Sequence, residues 1–379
     1  MTEANTVIIS RQIRENILGN LFRGKAILIM GPRQCGKTTL LNSLIDSEES
    51  VLYLNCDDLS DRNALEKPTL SNLQTLVGRN RIVLIDEAQR VTDIGLSIKI
   101  MVDRIPGIQV IATGSSSFEL NNRVCEPLTG RKYEYFLYPF SFSELSNHYG
   151  AWNEKKQLEL RLVYGSYPDI VKHPSEGEEL LKLLVDSYLF KDVFTFQDLR
   201  RPELLERLLR ALALQLGSEI SYTELAQITG TDHSTVQRYI QLLEQAYIIF
   251  RLYNYSNNKR NELKKGRKLY FWDNGVRNCL IDDFRKLELR NDVGKLWENY
   301  LVSERFKYLS NNRIHRSSYF WRNTNQSEID YLEGYEDKLE AYEIKWSSKR
   351  SARFGPFQST YPNAKVARLD RENYISFME

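Results

Sequence analysis

The sequence predicts an α/β protein whose leading unit is a parallel sheet with helices on both faces. A helical connector, a winged helix-turn-helix unit and a second α/β unit follow. Three observations predict it. Apolar runs of strand length recur at AILIM (26–30), VLYLN (51–55), RIVLID (81–86) and IQVIATG (108–114), with stretches between them long enough for helices. Runs that are apolar at nearly every position belong to strands buried on both faces. From about residue 152 to residue 210 the pattern turns helical, as in ELLKLLVDSYL (179–189) and PELLERLLRALALQL (202–216). Beyond residue 271 a helix precedes short alternating segments rich in Tyr and Trp. At roughly 150 residues per domain, 379 residues make two to three domains. The divisions read from the pattern are 1–150, 151–202, 203–270 and 271–379.

Composition narrows the class. The chain has 52 Lys plus Arg against 50 Asp plus Glu, a net charge of +2, with 42% hydrophobic and 27% charged residues. That is ordinary globular usage and argues against a disordered chain. No stretch approaches the roughly 18 consecutive apolar residues of a membrane-crossing helix. The first residues show neither a basic n-region nor an apolar h-region, so the expected location is cytoplasmic, with no membrane partner. Cysteines 35, 56, 125 and 279 form no C-x-x-C pair, and histidines 148, 173, 233 and 315 have no ligand-like spacing. A structural zinc site or a disulfide framework is not expected.

Element by element, AILIM ends in Gly31-Pro32-Arg33-Gln34-Cys35-Gly36-Lys37-Thr38, followed by Thr39 and a helical run. This is G-x-x-x-x-G-K-[ST] between a strand and a helix, the context that a phosphate-binding loop needs. Its glycines let the backbone curl so that successive N–H groups face phosphate oxygens. Lys37 is placed to reach the β- and γ-phosphates of ATP, and the Thr38 hydroxyl to complete the shell of a Mg²⁺. IVLIDEAQ (82–89) is an apolar strand ending in Asp86, read as holding the Mg²⁺ through water, and Glu87, read as polarising the attacking water. The run IQVIATGSSS (108–117) ends in hydroxyl residues. Thr113 or Ser115 is the candidate for contacting the γ-phosphate or the water, against the plain alternative of a polar turn. Cys35 reads as a small residue filling a loop position.

In this order and spacing, GPRQCGKTT, LIDEAQ and ATGSSS resemble the AAA-type ATPases of bacteria and archaea. More narrowly they are similar to a prokaryotic subgroup with a C-terminal domain of unknown function, the DUF4143 family. Leu128-Thr129-Gly130-Arg131, YPFSFSEL (138–145) and Gly165-Ser166-Tyr167-Pro168-Asp169 extend the resemblance over nearly the whole chain. The resemblance implies ATP and Mg²⁺ as cofactors and a homo-oligomer, a hexameric ring, in which an arginine of the neighbouring subunit completes the site. Arg131 is the first candidate for it and Arg123 the second, against a plain surface arginine.

SYTELAQITG (221–230) and DHSTVQRYIQLLEQAYII (232–249) read as two helices joined by a Gly-containing turn, with Asp232 as an N-cap. The second helix would present His233, Ser234, Thr235, Gln237 and Arg238. A hairpin, or wing, follows from IIFRLYNYS and KLYFWD. Between Arg251 and Lys268 it carries seven basic residues and one acid, a local net of +6. Lys259, Arg260, Lys264, Lys265, Arg267 and Lys268 are its candidate contacts to a DNA backbone. A protein-binding module, or a charged solvated edge, is the alternative.

The helix KLWENYLVSERFKYL (295–309) carries Glu298. SEIDYLEG (327–334) and LEAYEIKW (339–346) read as strands carrying Asp330, Glu343 and Lys345. A turn centred near 336–337 would set Asp330 beside Glu343, with Glu343 and Lys345 on one face. The set resembles the restriction-endonuclease-like nuclease core, in which Glu298, Asp330 and Glu343 would hold Mg²⁺ and Lys345 would orient water. The expected function is ATP binding and hydrolysis coupled to DNA binding or remodelling, on branched or broken DNA. The alternatives are a nucleotide switch acting on protein partners, or an ATP-gated nuclease.

Overall fold

The four apolar runs fold as strands of one sheet: β1 Ala26–Met30, β2 Val51–Asn55, β3 Ile82–Asp86 and β4 Gln109–Gly114. This is seen in a computed structural model, which describes residues 8–45, 50–115, 128–186, 201–256, 266–347, 349 and 353–379. A fifth strand, β5 Lys132–Phe136, completes the sheet. The sequence reading does not single it out. It is an edge strand with mostly half-buried residues, so KYEYF lacks the continuous apolar signal of its neighbours.

The order is β2-β3-β4-β1-β5, and every pairing is parallel. Alternate residues of β1 feed opposite cores. Ala26, Leu28 and Met30 pack on one face with Val83, Ile85 and the helix Ile94–Arg104. Ile27 and Ile29 pack on the other with Leu40 and Leu41 of the helix Lys37–Ser43. Burial on both faces is why these strands read as unbroken apolar runs. β4 lies between β1 and β3, so the carboxyl ends of β1, β4 and β3 stand side by side, where open parallel sheets bind ligands.

The second sheet is mixed, with order β11-β10-β9-β8-β6-β7. Its strands are β6 Ile249–Asn254, β7 Arg267–Phe271, β8 Ser317–Arg322, β9 Glu328–Tyr335, β10 Lys338–Ile344 and β11 Lys365–Leu369. The nineteen-residue helix Val293–Asn311 precedes β8. Lys338 pairs with Tyr335, so the turn falls at 336–337 as the sequence suggests.

The chain divides into two compact units, Met1–Phe140 with Gln245–Tyr247, and Ser141–Glu244 with Ile248–Glu379. The sequence reading cuts the second unit at residues 203 and 271. In the structure β6 pairs antiparallel with β7 and parallel with β8, so the hairpin shares a sheet with the C-terminal strands. The expected connector is helical in its described part, from Ala151–Lys156 to Gly177–Leu184. The helix just before it, Phe142–Tyr149, opens on a capping box between Ser141 and Glu144.

Candidate nucleotide site and charged cluster

The phosphate loop leaves β1 at Gly31, where a Cβ would lie 2.1 Å from the Leu137 carbonyl oxygen, so only glycine fits. Gly36 caps the following helix at φ +94°, a left-handed conformation that favours glycine. Cys35 points into the core, and burial pushes its thiol up, away from reactivity. It fills a loop position, as the sequence suggests. Pro32 is buried, Arg33 half-buried and Gln34 exposed.

Lys37 is buried, and its Nζ donates to the carbonyl oxygens of Gly31 at 3.0 Å and Pro32 at 2.9 Å. The ammonium is therefore held over the loop by these two carbonyls. Thr38 and Thr39 are exposed at the mouth of the loop.

Asp86 ends β3 and is 4% exposed. Its Oδ2 accepts from Thr38 Oγ1 at 2.8 Å and from the Tyr53 hydroxyl at 3.0 Å. Its Oδ1 accepts from Thr113 Oγ1 and from the Glu87 amide at 3.1 Å. The register explains the convergence. Asn55 pairs with Asp86, and Ala112 with Ile85, which puts Tyr53 two residues back on β2 and Thr113 one step on along β4. Burial, then the Asp86 charge, pushes the Tyr53 hydroxyl up to about 12, so it stays a donor. Thr38 and Asp86 are hard oxygen donors facing one another at hydrogen-bond distance, a pair suited to Mg²⁺.

Glu87 sits at φ +52°, rare for a residue with a side chain. Its amide also donates to Thr113 Oγ1 at 3.2 Å, and its Oε2 accepts from Gln89 Nε2 at 2.5 Å. The Ser115 amide donates to Gln89 Oε1 at 3.3 Å. Of the two hydroxyl residues named at this strand end, Thr113 is committed to Asp86. Tyr53 and Gln89 are the members that sequence reasoning misses. Gln89 lies inside the LIDEAQ run, and Tyr53 needed the β2–β3 register. Arg131 stands just before β5, with its Nε 2.8 and 2.9 Å from the two carboxylate oxygens of Asp103. Arg123 lies outside the described residues.

In the second unit the helix Tyr222–Thr229 ends at Gly230, φ +68°, and the helix His233–Gln245 follows. Asp232 caps it, accepting from the Thr235 amide at 2.9 Å. His233, Ser234, Gln237 and Arg238 are exposed and Thr235 is half-buried, whereas Val236, Ile240 and Leu243 are buried. The hairpin is less available than its composition suggests. Arg251 bonds Glu244 and the Tyr222 hydroxyl, and Arg267 bonds the same hydroxyl at 2.9 Å. Lys259, Arg260, Lys264 and Lys265 lie outside the described residues.

Lys268 corrects the sequence reading. It is expected on the wing facing DNA, but it is 2% exposed. Its Nζ lies 3.0 Å from Glu298, 2.5 Å from Glu328 and 4.0 Å from Asp330. On β7 it points inward, because the hairpin is part of the sheet and not a free wing. Lys345 Nζ lies 3.1 Å from Asp330 and 2.5 Å from Glu343. Glu298, Asp330, Glu343 and Lys345 thus join one cluster. The carboxylates expected to share Mg²⁺ are instead bridged by two ammonium groups. Among the described residues no three His, Cys, Asp or Glu side chains converge to hold a metal ion. Burial, then the Asp330 charge, pushes the Glu343 carboxyl up to about 7, and burial raises that of Glu298.

Residues 23–146 match the model of an AAA domain, residues 155–290 a domain of unknown function (DUF8612), and residues 293–374 another (DUF4143). An uncharacterised protein of Mycobacterium tuberculosis is 26% identical over 353 residues, 92% of this chain and 76% of that protein. One from Methanocaldococcus jannaschii is 25% identical over 355 residues, 86% of this chain and 75% of the relative. The solved Walker-type ATPase of Pyrococcus abyssi superposes with a TM-score of 0.50 at 17% identity, over 72% of this chain and 96% of that one. The chain thus carries a region similar to an AAA domain, with a phosphate loop after β1 and an acidic pair at the end of β3, and a C-terminal region similar to DUF4143.

Proposed function

We propose that the chain binds ATP at Gly31–Thr39 and hydrolyses it, and that turnover is coupled to DNA held by the second unit. The observation that carries hydrolysis is the meeting of Thr38, Asp86 and Glu87 at the carboxyl ends of β1 and β3, with Lys37 stored over the loop. The loop amides and Lys37 bind the phosphates. Thr38 and Asp86 would hold the cation, whose charge would offset that developing on the phosphate oxygens. Glu87 accepts the proton of the attacking water. Arg131 is the proposed arginine supplied to a neighbouring subunit, which makes the active form a homo-oligomer, in our reading a hexameric ring. Mixing Lys37→Ala and Arg131→Ala subunits tests this. Partial recovery of activity is expected, and none at any ratio would rule out action across subunits.

The DNA part rests on the exposed first turns of the helix His233–Gln245 following a Gly-terminated helix. Contacts from this face would be to backbone or base edges. One observation favours the second reading, a nucleotide switch acting on proteins. The described basic residues of the hairpin, Arg251, Arg267 and Lys268, are all engaged within the chain. Nuclease activity is not proposed, since Lys268 and Lys345 bridge the acids it would use.

The deciding experiment is the steady-state ATPase rate with Mg²⁺, alone and with single-stranded, duplex and four-way-junction DNA, using Lys37→Ala as the blank. Stimulation by one DNA form, lost at high salt, is expected. A Lys37-dependent rate indifferent to every DNA would replace the DNA reading with the protein-partner one.

A further inference from the structure

Gln89 plays no part in the roles assigned above, yet it is the side chain on the carboxylate that must take the proton. It lies in the single turn Ala88–Arg90 directly after the acidic pair, and it is half-buried. Its amide is used at both ends. Nε2 donates to Glu87 Oε2 at 2.5 Å, and Oε1 accepts from the Ser115 amide at 3.3 Å. Ser115 is the first residue beyond β4. Two residues earlier on the same strand, Thr113 bonds Asp86 and the Glu87 amide. Among the described residues, the end of β4 therefore touches the metal-side carboxylate directly, the base's backbone directly, and the base's carboxylate through Gln89.

We propose that Gln89 is a positioning residue for Glu87. It fixes the Glu87 carboxylate and ties its aim to the end of β4, so that the strand carrying Thr113 sets both acids at once. The inference rests on the ATPase reading. Three features carry it. A backbone at φ +52° fixes where the Glu87 side chain starts, but leaves its terminal carboxylate free to rotate. Only one oxygen is bound by Gln89, which leaves the other for water. The donor is a neutral amide, which orients a carboxylate without supplying a counter-charge as Arg or Lys would.

The test compares kcat and KM for ATP in the full chain carrying Gln89→Glu, Gln89→Ala, Glu87→Gln and each Gln89 change combined with Glu87→Gln. Gln89→Glu keeps the size and shape but cannot donate to a carboxylate. A merely structural role would survive it. We expect either Gln89 change to lower kcat by roughly 10- to 100-fold, the order of loss when a catalytic group is misplaced. KM should stay within about twofold, because the two bonds of Gln89 run to Glu87 and Ser115 and not to the phosphate loop. In the Glu87→Gln background the Gln89 changes should cost almost nothing more, since the group they position is gone. Unchanged kcat in Gln89→Glu overturns the proposal. So does a full, additive loss in the Glu87→Gln background, or a loss confined to KM. A parent protein with no Lys37-dependent turnover would sink the ATPase reading itself, and the positioning role with it. An active parent with indifferent Gln89 variants would sink only the positioning role.

Discussion

Asp86 receives four hydrogen bonds, from Thr38, Tyr53, Thr113 and the Glu87 amide, and this crowding sets what each neighbour can do. Thr38 and Tyr53 donate to the same oxygen, the one facing the loop. A cation arriving there competes with the Tyr53 hydroxyl, which stays protonated well above neutral pH because burial and the Asp86 charge push it up to about 12. Tyr53→Phe removes that competitor and leaves the strand. A single hydrogen bond contributes about 0.5–1.5 kcal/mol net, so the Mg²⁺ concentration for half-maximal ATPase should fall by roughly two- to tenfold. A Mg²⁺ titration of the rate measures it, and the shift should be the same from about pH 6 to 9, since the hydroxyl does not ionise there. A higher Mg²⁺ requirement would show instead that Tyr53 orients Asp86 for the metal.

At the scale of elements, the cluster between β7, the helix Val293–Asn311, β9 and β10 shows why charge in a sequence does not reveal its address. Lys268 stands in a run with a local net of +6 and reads as a phosphate contact. Burial alone would pull its ammonium down, but Glu298, Asp330 and Glu328 hold it well above the usual lysine range. Breaking a buried pair by removing one partner costs about 3–5 kcal/mol. Lys268→Ala should therefore lower the unfolding midpoint in denaturant markedly, and leave the salt dependence of DNA binding untouched. A change in that salt slope would put Lys268 back on the surface. Glu343 gives a pH signature. Its folded carboxyl titrates near 7 against an ordinary value of 4.5, so the folded state holds a proton that the unfolded state gives up. Stability from this group is full below about pH 4.5 and is lost as pH rises to about 7. Glu343→Gln should flatten that fall in thermal unfolding curves recorded across the window. An equal fall in both proteins would count against the raised carboxyl. Strands whose residues are buried on both faces, and a helix with a cap such as Asp232, were legible because their signals are local. So was the turn at 336–337, which sets Asp330 beside Glu343. What was not legible depends on pairing distant in sequence. β5 looks like a loop until β1 is beside it, and the hairpin looks like a wing until β8 pairs with β6.

Over the whole molecule the charges nearly cancel, +2 on 379 residues, so any DNA affinity must come from a local surface and not from a general field. The exposed turns of the helix His233–Gln245 offer Arg238 as their basic residue and Gln237 and Ser234 as neutral donors. Each phosphate neutralised adds about −0.9 to the slope of log affinity against log salt. If this helix meets the backbone, Arg238→Glu should reduce the magnitude of that slope by about one or more and weaken binding at low salt, on every DNA form alike. Fluorescence anisotropy with labelled duplex and junction DNA at several salt concentrations reads both quantities. The same variant should keep its DNA-free ATPase rate, because the residue lies outside the nucleotide unit, and should lose the DNA-stimulated part. An Arg238→Glu protein that binds DNA with the parent slope would move the interface off this helix. A variant that loses its DNA-free rate as well would show that the substitution disturbs more than the contact with DNA.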